Sequence, residues 1–149
     1  MKKIILITKI FFVYLFLSSN GLTKESIYFK QGIEHFQKKE FTKSKIFFER
    51  DIVFDPKSEK SYLYLAKIFN NNENDQEEEI NLNRVLLLNP KNDEAIYMLV
   101  LLKIKQSDYS NAKKLLDEFI LVCKSFCSKK KEIQEKFKKM TPDNEKSNN

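Results

Sequence analysis

Large apolar residues recur at spacings of three and four through the middle of the chain, with polar residues between them. Between residues 59 and 92 they are Tyr62, Leu65, Phe69, Ile80, Leu82, Val85, Leu86 and Leu88. This spacing lines one side of a helix, so it predicts two amphipathic α-helices in this stretch. The chain has only two glycines, Gly21 and Gly32, and tight β-hairpin turns most often need glycine. The pattern therefore predicts an all-α fold.

The same two-helix pattern occurs three times, in segments 25–58, 59–92 and 93–126, which align without a gap. Two similar short segments mark the 34-residue repeat: FDPKS at 54–58 and LNPKN at 88–92. Equivalent positions keep their character: the fourth position is Tyr28, Tyr62 and Ile96, and the twenty-fourth is Phe48, Leu82 and Leu116. A proline that follows a helix cannot continue it. Pro56 and Pro90 are thus predicted to end the second helix of their units.

A unit of this length with two amphipathic helices resembles the tetratricopeptide repeat, and the resemblance covers Glu25 to Phe126. It implies an α-solenoid of three helix–turn–helix repeats plus a C-terminal capping helix. Some positions depart from the family pattern, and unrelated helical hairpins of equal period are the alternative. The departures are Gln31, Glu78 and Lys103 at apolar or small positions, Lys39, Glu73 and Ser107 where glycine is frequent, and Lys124 in place of the third proline.

Polar residues mark the helix boundaries and the end of the stack. Asp75 with Glu78 fits a capping box, and Thr42 and Ser110 are predicted to cap the equivalent helices. Continuing the register past the third unit puts Ile133 on the apolar face of a capping helix at 127–141, with Phe137 one turn later and lysines on the other faces. Residues 142–149 are predicted to be a disordered tail.

The first 21 residues have the layout of a secretory signal: basic Lys2, Lys3 and Lys9, an apolar run at 10–17, then small residues. The apolar run is shorter than the roughly 18 to 20 residues that span a bilayer, but a retained membrane anchor and a buried first helix remain alternatives. No cysteine follows the run, which argues against a lipoprotein signal. The composition, with 25 lysines against two arginines, is typical of a low-GC genome. The expectation is an exported bacterial protein of the periplasm or cell envelope.

The basic charge does not indicate a nucleic-acid partner. Of the formal charge of +6, three lysines belong to the first 21 residues and the segment 124–149 carries +4, so the central region is about neutral at −1. A phosphate-binding surface needs positive charge spread along it. Contact with a membrane is expected only through the N-terminal segment.

Catalytic and metal-binding patterns are weak, so the sequence predicts neither an enzyme nor a cofactor. The only histidine, His35, occupies a position at which the family packs an aromatic residue between paired helices. One histidine without neighbouring ligands does not form a typical zinc site, and two glycines do not form a phosphate loop. The acidic run of Glu73, Asp75, Glu77, Glu78 and Glu79 lacks the ligand spacing of a calcium loop. They are interpreted as solvated side chains that stabilise a helix start.

Cys123 and Cys127 lie four residues apart at the end of the third unit. A turn between them would allow a disulfide, which is compatible with export. If the helix continues through both, they are small core residues instead. The sequence leaves both interpretations open.

The resemblance implies that the first helix of each repeat lines a concave groove. The predicted groove combines an exposed apolar stripe with a few polar residues and is expected to bind an amphipathic helix or apolar segment of a protein or peptide partner. The tail, the N-terminal segment or self-association with a second copy would also cover it. A structural subunit tethered to the envelope by an uncleaved N-terminal helix is the alternative function. The predicted groove residues are Phe29, Ile33, Phe36, Leu63, Lys67, Asn70, Tyr97 and Leu101.

One group within that family binds a peptide's C-terminal carboxylate through a basic residue at position five and an asparagine at position nine of its first repeat. Phe29 and Ile33 occupy these positions here. The resemblance therefore does not imply carboxylate binding.

Overall fold

A computed structural model describes residues 25–140. Three antiparallel helix pairs follow one another and a short 3₁₀ turn leads into a last helix. The helices are α1 (Ile27–Gln37), α2 (Phe41–Phe54), α3 (Glu59–Asn71), α4 (Asp75–Leu88), α5 (Asp93–Lys105), α6 (Tyr109–Val122) and α7 (Lys130–Met140), with the 3₁₀ turn at Cys127–Lys129. The predicted all-α solenoid is confirmed. The second helix of each pair packs against the first helix of the next, so the core runs along the stack.

Small residues let the paired helices approach closely. In the first pair, an ideal Cβ added to Gly32 would lie only 2.6 Å from Cε1 of Phe48, a fully buried ring. Ser44 donates a hydrogen bond of 2.8 Å to the Gly32 carbonyl at the same crossing. In the second pair Ala66 occupies the equivalent position and is fully buried.

The turn inside each repeat has the same backbone geometry three times. Lys39, Glu73 and Ser107 have φ angles of 59°, 55° and 59°, the left-handed region that glycine adopts most easily. Two backbone hydrogen bonds close each turn, as from Lys39 N to the Phe36 carbonyl and from Glu40 N to the His35 carbonyl. These bonds define a Schellman motif. The three turns therefore adopt this geometry without glycine.

The predicted helix caps are wrong by one or two residues. The side chain of Asn74 caps α4 by accepting from Glu77 N, and Asp108 caps α6 by accepting from Asn111 N. Glu40 precedes α2 without a side-chain cap bond. Asp75, Ser110 and Thr42 lie just inside the helices instead. Asn and Asp are as suitable for capping as Ser or Thr, so residue type alone does not predict which of these neighbouring residues is the cap.

The stack closes with α7, whose Ile133 is fully buried and whose Phe137 packs against the same cluster. Before it, α6 ends at Val122, and Cys123 and Cys127 form a disulfide with their Cα atoms 5.1 Å apart. Both cysteines therefore lie outside the straight part of α6. In the turn between them, the N–H groups of Lys124 and Phe126 donate to Asp93 Oδ2 at 2.6 and 2.8 Å.

Two predicted segments lie outside the described residues: the signal peptide or anchor at 1–21, and the tail at 142–149. Between residues 25 and 140, no helix is both long and apolar enough to cross a bilayer.

Candidate protein-interaction groove

The groove positions share one side of each first helix because they are four and three residues apart. Contacts between repeats bring these sides together. The Phe36 and Tyr64 rings have centroids 5.0 Å apart, which joins α1 to α3. Lys67 Nζ lies 2.8 Å from Glu94 Oε1, which joins α3 to α5. The predicted groove residues therefore lie on one continuous surface.

The apolar stripe is much less exposed than predicted. The exposed fractions of Phe29, Leu63 and Tyr97 are only 7%, 8% and 9%, because side chains of neighbouring elements cover them. Phe29 contacts the Tyr64 ring edge to face, and Tyr97 packs against Phe126. The expectation of an exposed stripe through these three residues is corrected: they form the floor of the groove.

Tyr97 shows how the end of the chain closes the groove at its third repeat. Its hydroxyl donates a hydrogen bond of 3.0 Å to Glu132 Oε1 in α7. Burial, and then this carboxylate, raise the pKa of Tyr97. Glu132 also binds Lys129 Nζ at 2.8 Å, and the hydrogen bonds from Lys129 and Tyr97 lower the pKa of Glu132. The accessible groove therefore lies mainly along the first and second repeats.

Partly exposed apolar side chains remain available at Ile33, Phe36 and Leu101. Lys67 lies beside them, with Nζ 4.6 Å from the Tyr64 ring centroid in addition to its ion pair with Glu94. A cation over an aromatic face is attracted by the ring quadrupole. The accessible surface is therefore mixed: apolar patches separated by a fixed ion pair.

The side chain of Asn70 is hydrogen-bonded to Glu78, a residue that the sequence predicts to be solvated. Its amide nitrogen donates to both carboxylate oxygens of Glu78, at 3.1 and 3.0 Å. Glu78 is 1% exposed, and this burial raises its pKa. The interpretation of the acidic run as solvated is therefore wrong for Glu78. It holds for Asp75 and Glu79 only in part, because they pair with Lys105 and Lys103 of α5.

A second concave region of about 610 Å³ lies between the start of α1 and the turn before α3. Its buried Asp51 carboxylate accepts hydrogen bonds from the hydroxyls of Ser26, Ser58 and Ser61. Ser26 caps α1, Asp51 lies in α2, and Ser58 and Ser61 lie at the start of α3, so these hydrogen bonds join three helices.

His35 packs between the paired helices, as predicted. Its ring stacks on Phe47 of α2 with centroids 5.1 Å apart, and Nδ1 lies 2.5 Å from Glu40 Oε2. These contacts, with hydrogen bonding from His35 as the main cause, lower the pKa of Glu40. Over the described part of the chain, no group of three or more His, Cys, Asp or Glu residues is placed to hold a metal ion.

One surface feature was missed by the sequence reasoning. Val53, Leu87 and Leu121 occupy the same position in the three second helices and are 75%, 71% and 84% exposed. They lie on the opposite side of these helices from the core. The signal was present in the sequence, since an aliphatic residue returns at the same repeat position each time. These residues lie on the second helices, whereas the predicted groove lies on the first helices.

Comparisons with known proteins identify the fold. No protein-family model matches the chain, and no curated protein matches it. Among solved structures, the Arabidopsis OM64 TPR domain aligns with a TM-score of 0.69 at 16% identity, covering 76% of this chain and 93% of that domain.

Two further structures agree. The first TPR of Spaghetti (RPAP3), bound to the HSP90 peptide SRMEEVD, aligns with a TM-score of 0.67 at 14% identity and covers 80% of this chain and 95% of that one. A chain of the CopN–Scc3 complex aligns with a TM-score of 0.65 at 15% identity, and the alignment covers 82% of this chain and 84% of that one. The chain thus has the fold of tetratricopeptide-repeat proteins, and the predicted resemblance in fold is confirmed.

Proposed function

We propose that this protein is an interaction scaffold that binds a protein or peptide partner along the groove of its first two repeats. The observation that carries the proposal is the placement of Ile33 and Phe36 beside Lys67 on adjoining first helices. These side chains remain partly accessible while Phe29 and Leu63 form a packed floor below them. A rigid floor with accessible apolar and charged side chains favours binding of an amphipathic segment.

The chemistry of the groove favours an apolar or amphipathic segment over an acidic peptide terminus. The structure of the Spaghetti domain contains a bound peptide that ends in EEVD, so a related fold does bind peptides. In this chain the corresponding carboxylate-binding positions are Phe29 and Ile33, which offer no charge. Lys60, whose Nζ lies 5.7 Å from the Phe29 ring centroid, is paired with Glu25, and Lys67 is paired with Glu94.

We further propose that the protein is exported to the periplasm or cell envelope. The signal-like residues 1–21 support this proposal, as does the Cys123–Cys127 disulfide, because disulfides persist in oxidising compartments. Mass spectrometry of the N-terminus of the protein from its own cell tests it. A start near Leu22 supports cleavage and export, whereas an intact Met1 supports the tethered envelope subunit.

Site-specific photocrosslinking tests the groove. A photoreactive residue at position 33 is compared with one at position 27 of the same helix. Ile27 is a matched control, because it is also isoleucine but is 68% exposed on another side of α1. We expect a defined crosslinked product from position 33 and none from position 27 in the cell that makes the protein.

A second arm separates binding from folding. Ile33→Asp is expected to reduce the crosslink from a probe at position 67 of the second repeat, while Ile27→Asp leaves it unchanged and both variants retain wild-type helicity by circular dichroism. Equal crosslinking from positions 33 and 27, or a crosslink insensitive to Ile33→Asp, would contradict binding in the groove.

A further inference from the structure

At the third repeat, the groove is covered by the turn after α6 and by α7. Phe126, in the turn between Cys123 and Cys127, packs on the Tyr97 ring with centroids 5.7 Å apart. In α7, Glu132 accepts a hydrogen bond from the Tyr97 hydroxyl. Because Tyr97 is a groove residue, the turn and α7 occupy the place that a partner would take at this repeat.

The last helix, α7, is attached to the repeats by few buried side chains. It packs against α5 and α6, but within Lys130–Met140 only Ile133 is buried, whereas α5 buries eight residues. An isolated helix of eleven residues has little stability in water. The position of α7 therefore depends strongly on the turn that precedes it.

One covalent bond and two hydrogen bonds fix that turn. The disulfide joins Cys123 to Cys127, four residues later, and the N–H groups of Lys124 and Phe126 donate to Asp93 Oδ2. A disulfide stabilises a closed segment by restricting the conformations that the open segment can adopt. Without it, the two hydrogen bonds to Asp93 alone oppose the freedom of the chain between α6 and α7.

The disulfide is placed where a thiol can reach it. Cys127 is exposed and Cys123 is half-buried, and access is one of the factors that set the rate of disulfide exchange. Lys124 lies between the two cysteines, and Lys129 and Lys130 follow them. This positive charge attracts an attacking thiolate. The bond therefore has the surroundings of a disulfide that a thiol reductant can open.

We propose that the Cys123–Cys127 disulfide is a redox switch of the groove: the oxidised form holds the turn and α7 over Tyr97, and reduction releases them and extends the groove into the third repeat. This proposal rests on the function proposed for the groove. A dithiol reductant supplies the two electrons. Its thiolate attacks the sulfur of Cys127 and forms a mixed disulfide, and Cys123 leaves as a thiolate. The second thiol of the reductant then displaces Cys127, the two cysteines take up the two protons that the reductant loses, and the reductant becomes a disulfide.

Hydrogen–deuterium exchange of the purified full-length protein tests the opening. With dithiothreitol as the reductant, the amides of residues 123–140 should exchange about tenfold or more faster than in the oxidised protein. The amides of α1 to α4 should change by less than about twofold. The Cys123→Ser/Cys127→Ser variant should exchange like the reduced wild type and should not respond to dithiothreitol. Unchanged exchange in residues 123–140, or loss of protection throughout the chain, would overturn the proposal.

Tryptophan fluorescence follows the cover of the groove itself, because the chain has no tryptophan of its own. Reduction should open the Phe126→Trp variant to quenching by acrylamide and shift its emission to longer wavelength. Phe69→Trp is the matched control, because Phe69 in α3 is also a half-buried phenylalanine, and its quenching should be the same in both redox states. Equal quenching of a tryptophan at position 126 in the two states would contradict the release of the turn.

Photocrosslinking in the cell that makes the protein separates this proposal from the function on which it rests. A probe at position 101, one turn after Tyr97, should gain a partner product in the Cys123→Ser/Cys127→Ser variant, while a probe at position 33 gives the same product with and without the cysteines. Equal products from position 101 in both proteins would overturn the extension of the groove. No product from position 33 in either protein would instead contradict the groove function, and the exchange and fluorescence results would still decide whether the switch opens.

Discussion

The side chain of Asp93, the first residue of α5, accepts a hydrogen bond of 2.6 Å from the backbone N–H of Lys124, thirty-one residues later. Lys124 occupies the repeat position at which the first two units have Pro56 and Pro90. Proline has no backbone N–H and could not make this bond. The loss of proline in the third unit is thereby explained: the N–H is needed to fix the turn that leads into α7.

Replacing Lys124 with proline should therefore destabilise the protein, even though proline stands at this position in the first two repeats. The buried Asp93 carboxylate would lose one of its backbone donors, which costs about 1 to 3 kcal/mol. Urea unfolding followed by circular dichroism measures the loss. Lys124→Ala keeps the N–H and is the control, expected within about 0.5 kcal/mol of wild type. Equal stability of the two variants would contradict this role for the N–H.

Acid should weaken the same turn. Burial alone would raise the pKa of Asp93, but the N–H groups of Phe126 and Lys124 donate to the carboxylate and hold its pKa below the usual 3.8. Because the folded-state pKa is lowered, the stabilisation is present above pH 3.8 and is lost as the pH falls through the folded-state value. Asp93→Asn should remove this part of the pH dependence and lower stability at pH 7, as measured by unfolding at several pH values. A parallel acid profile for the two proteins would contradict the assignment.

The sequence predicted the helix pairs well and the surfaces poorly, for a physical reason. Large residues such as Phe48 and Leu82 mark the buried side of a helix by their spacing alone. Exposure of a groove residue instead depends on side chains from other elements: Tyr64 covers Phe29, and Phe126 covers Tyr97. The burial of Glu78 likewise depends on Asn70 of the preceding helix. Such pairings follow from three-dimensional packing and not from repeat position.

Glycine should stabilise the turns inside the repeats. Ser107 has a φ of 59°, and a residue with a Cβ costs about 1 to 2 kcal/mol in the left-handed region. Glycine avoids this cost but loses more chain entropy on folding. We expect Ser107→Gly to raise the free energy of unfolding by about 0.5 to 1 kcal/mol. Ser107→Ala serves as the control and should give no gain; a glycine variant no more stable than the alanine variant would refute the prediction.

Gly32→Ala should destabilise the first repeat, although alanine favours helix more than glycine does. The added Cβ would meet the Phe48 ring at 2.6 Å, and that ring is buried against Tyr64 with centroids 5.1 Å apart. Overpacking of this kind costs about 1 to 3 kcal/mol, which exceeds the helix-propensity gain of about 1 kcal/mol. The net loss is measured by chemical unfolding. Adding Phe48→Leu should make the Gly32→Ala change less costly; equal cost in both backgrounds would show that the ring contact is not the cause.

Glu78→Gln should stabilise the protein at neutral pH, because burial disfavours the charged form of Glu78. Burial raises its pKa above 4.5 in the folded state, so the folded protein binds the proton more tightly than the unfolded chain. Wild-type stability therefore falls as the pH rises from 4.5 through the folded-state pKa. The substitution removes this penalty and keeps an oxygen that accepts from Asn70. We expect a gain of about 1 kcal/mol at pH 7 that disappears below pH 4.5.

Thermal unfolding at several pH values measures this gain, with the exposed Glu135→Gln as a control that should follow the wild-type profile. A gain that stays constant with pH would mean that packing, and not ionisation of Glu78, is responsible.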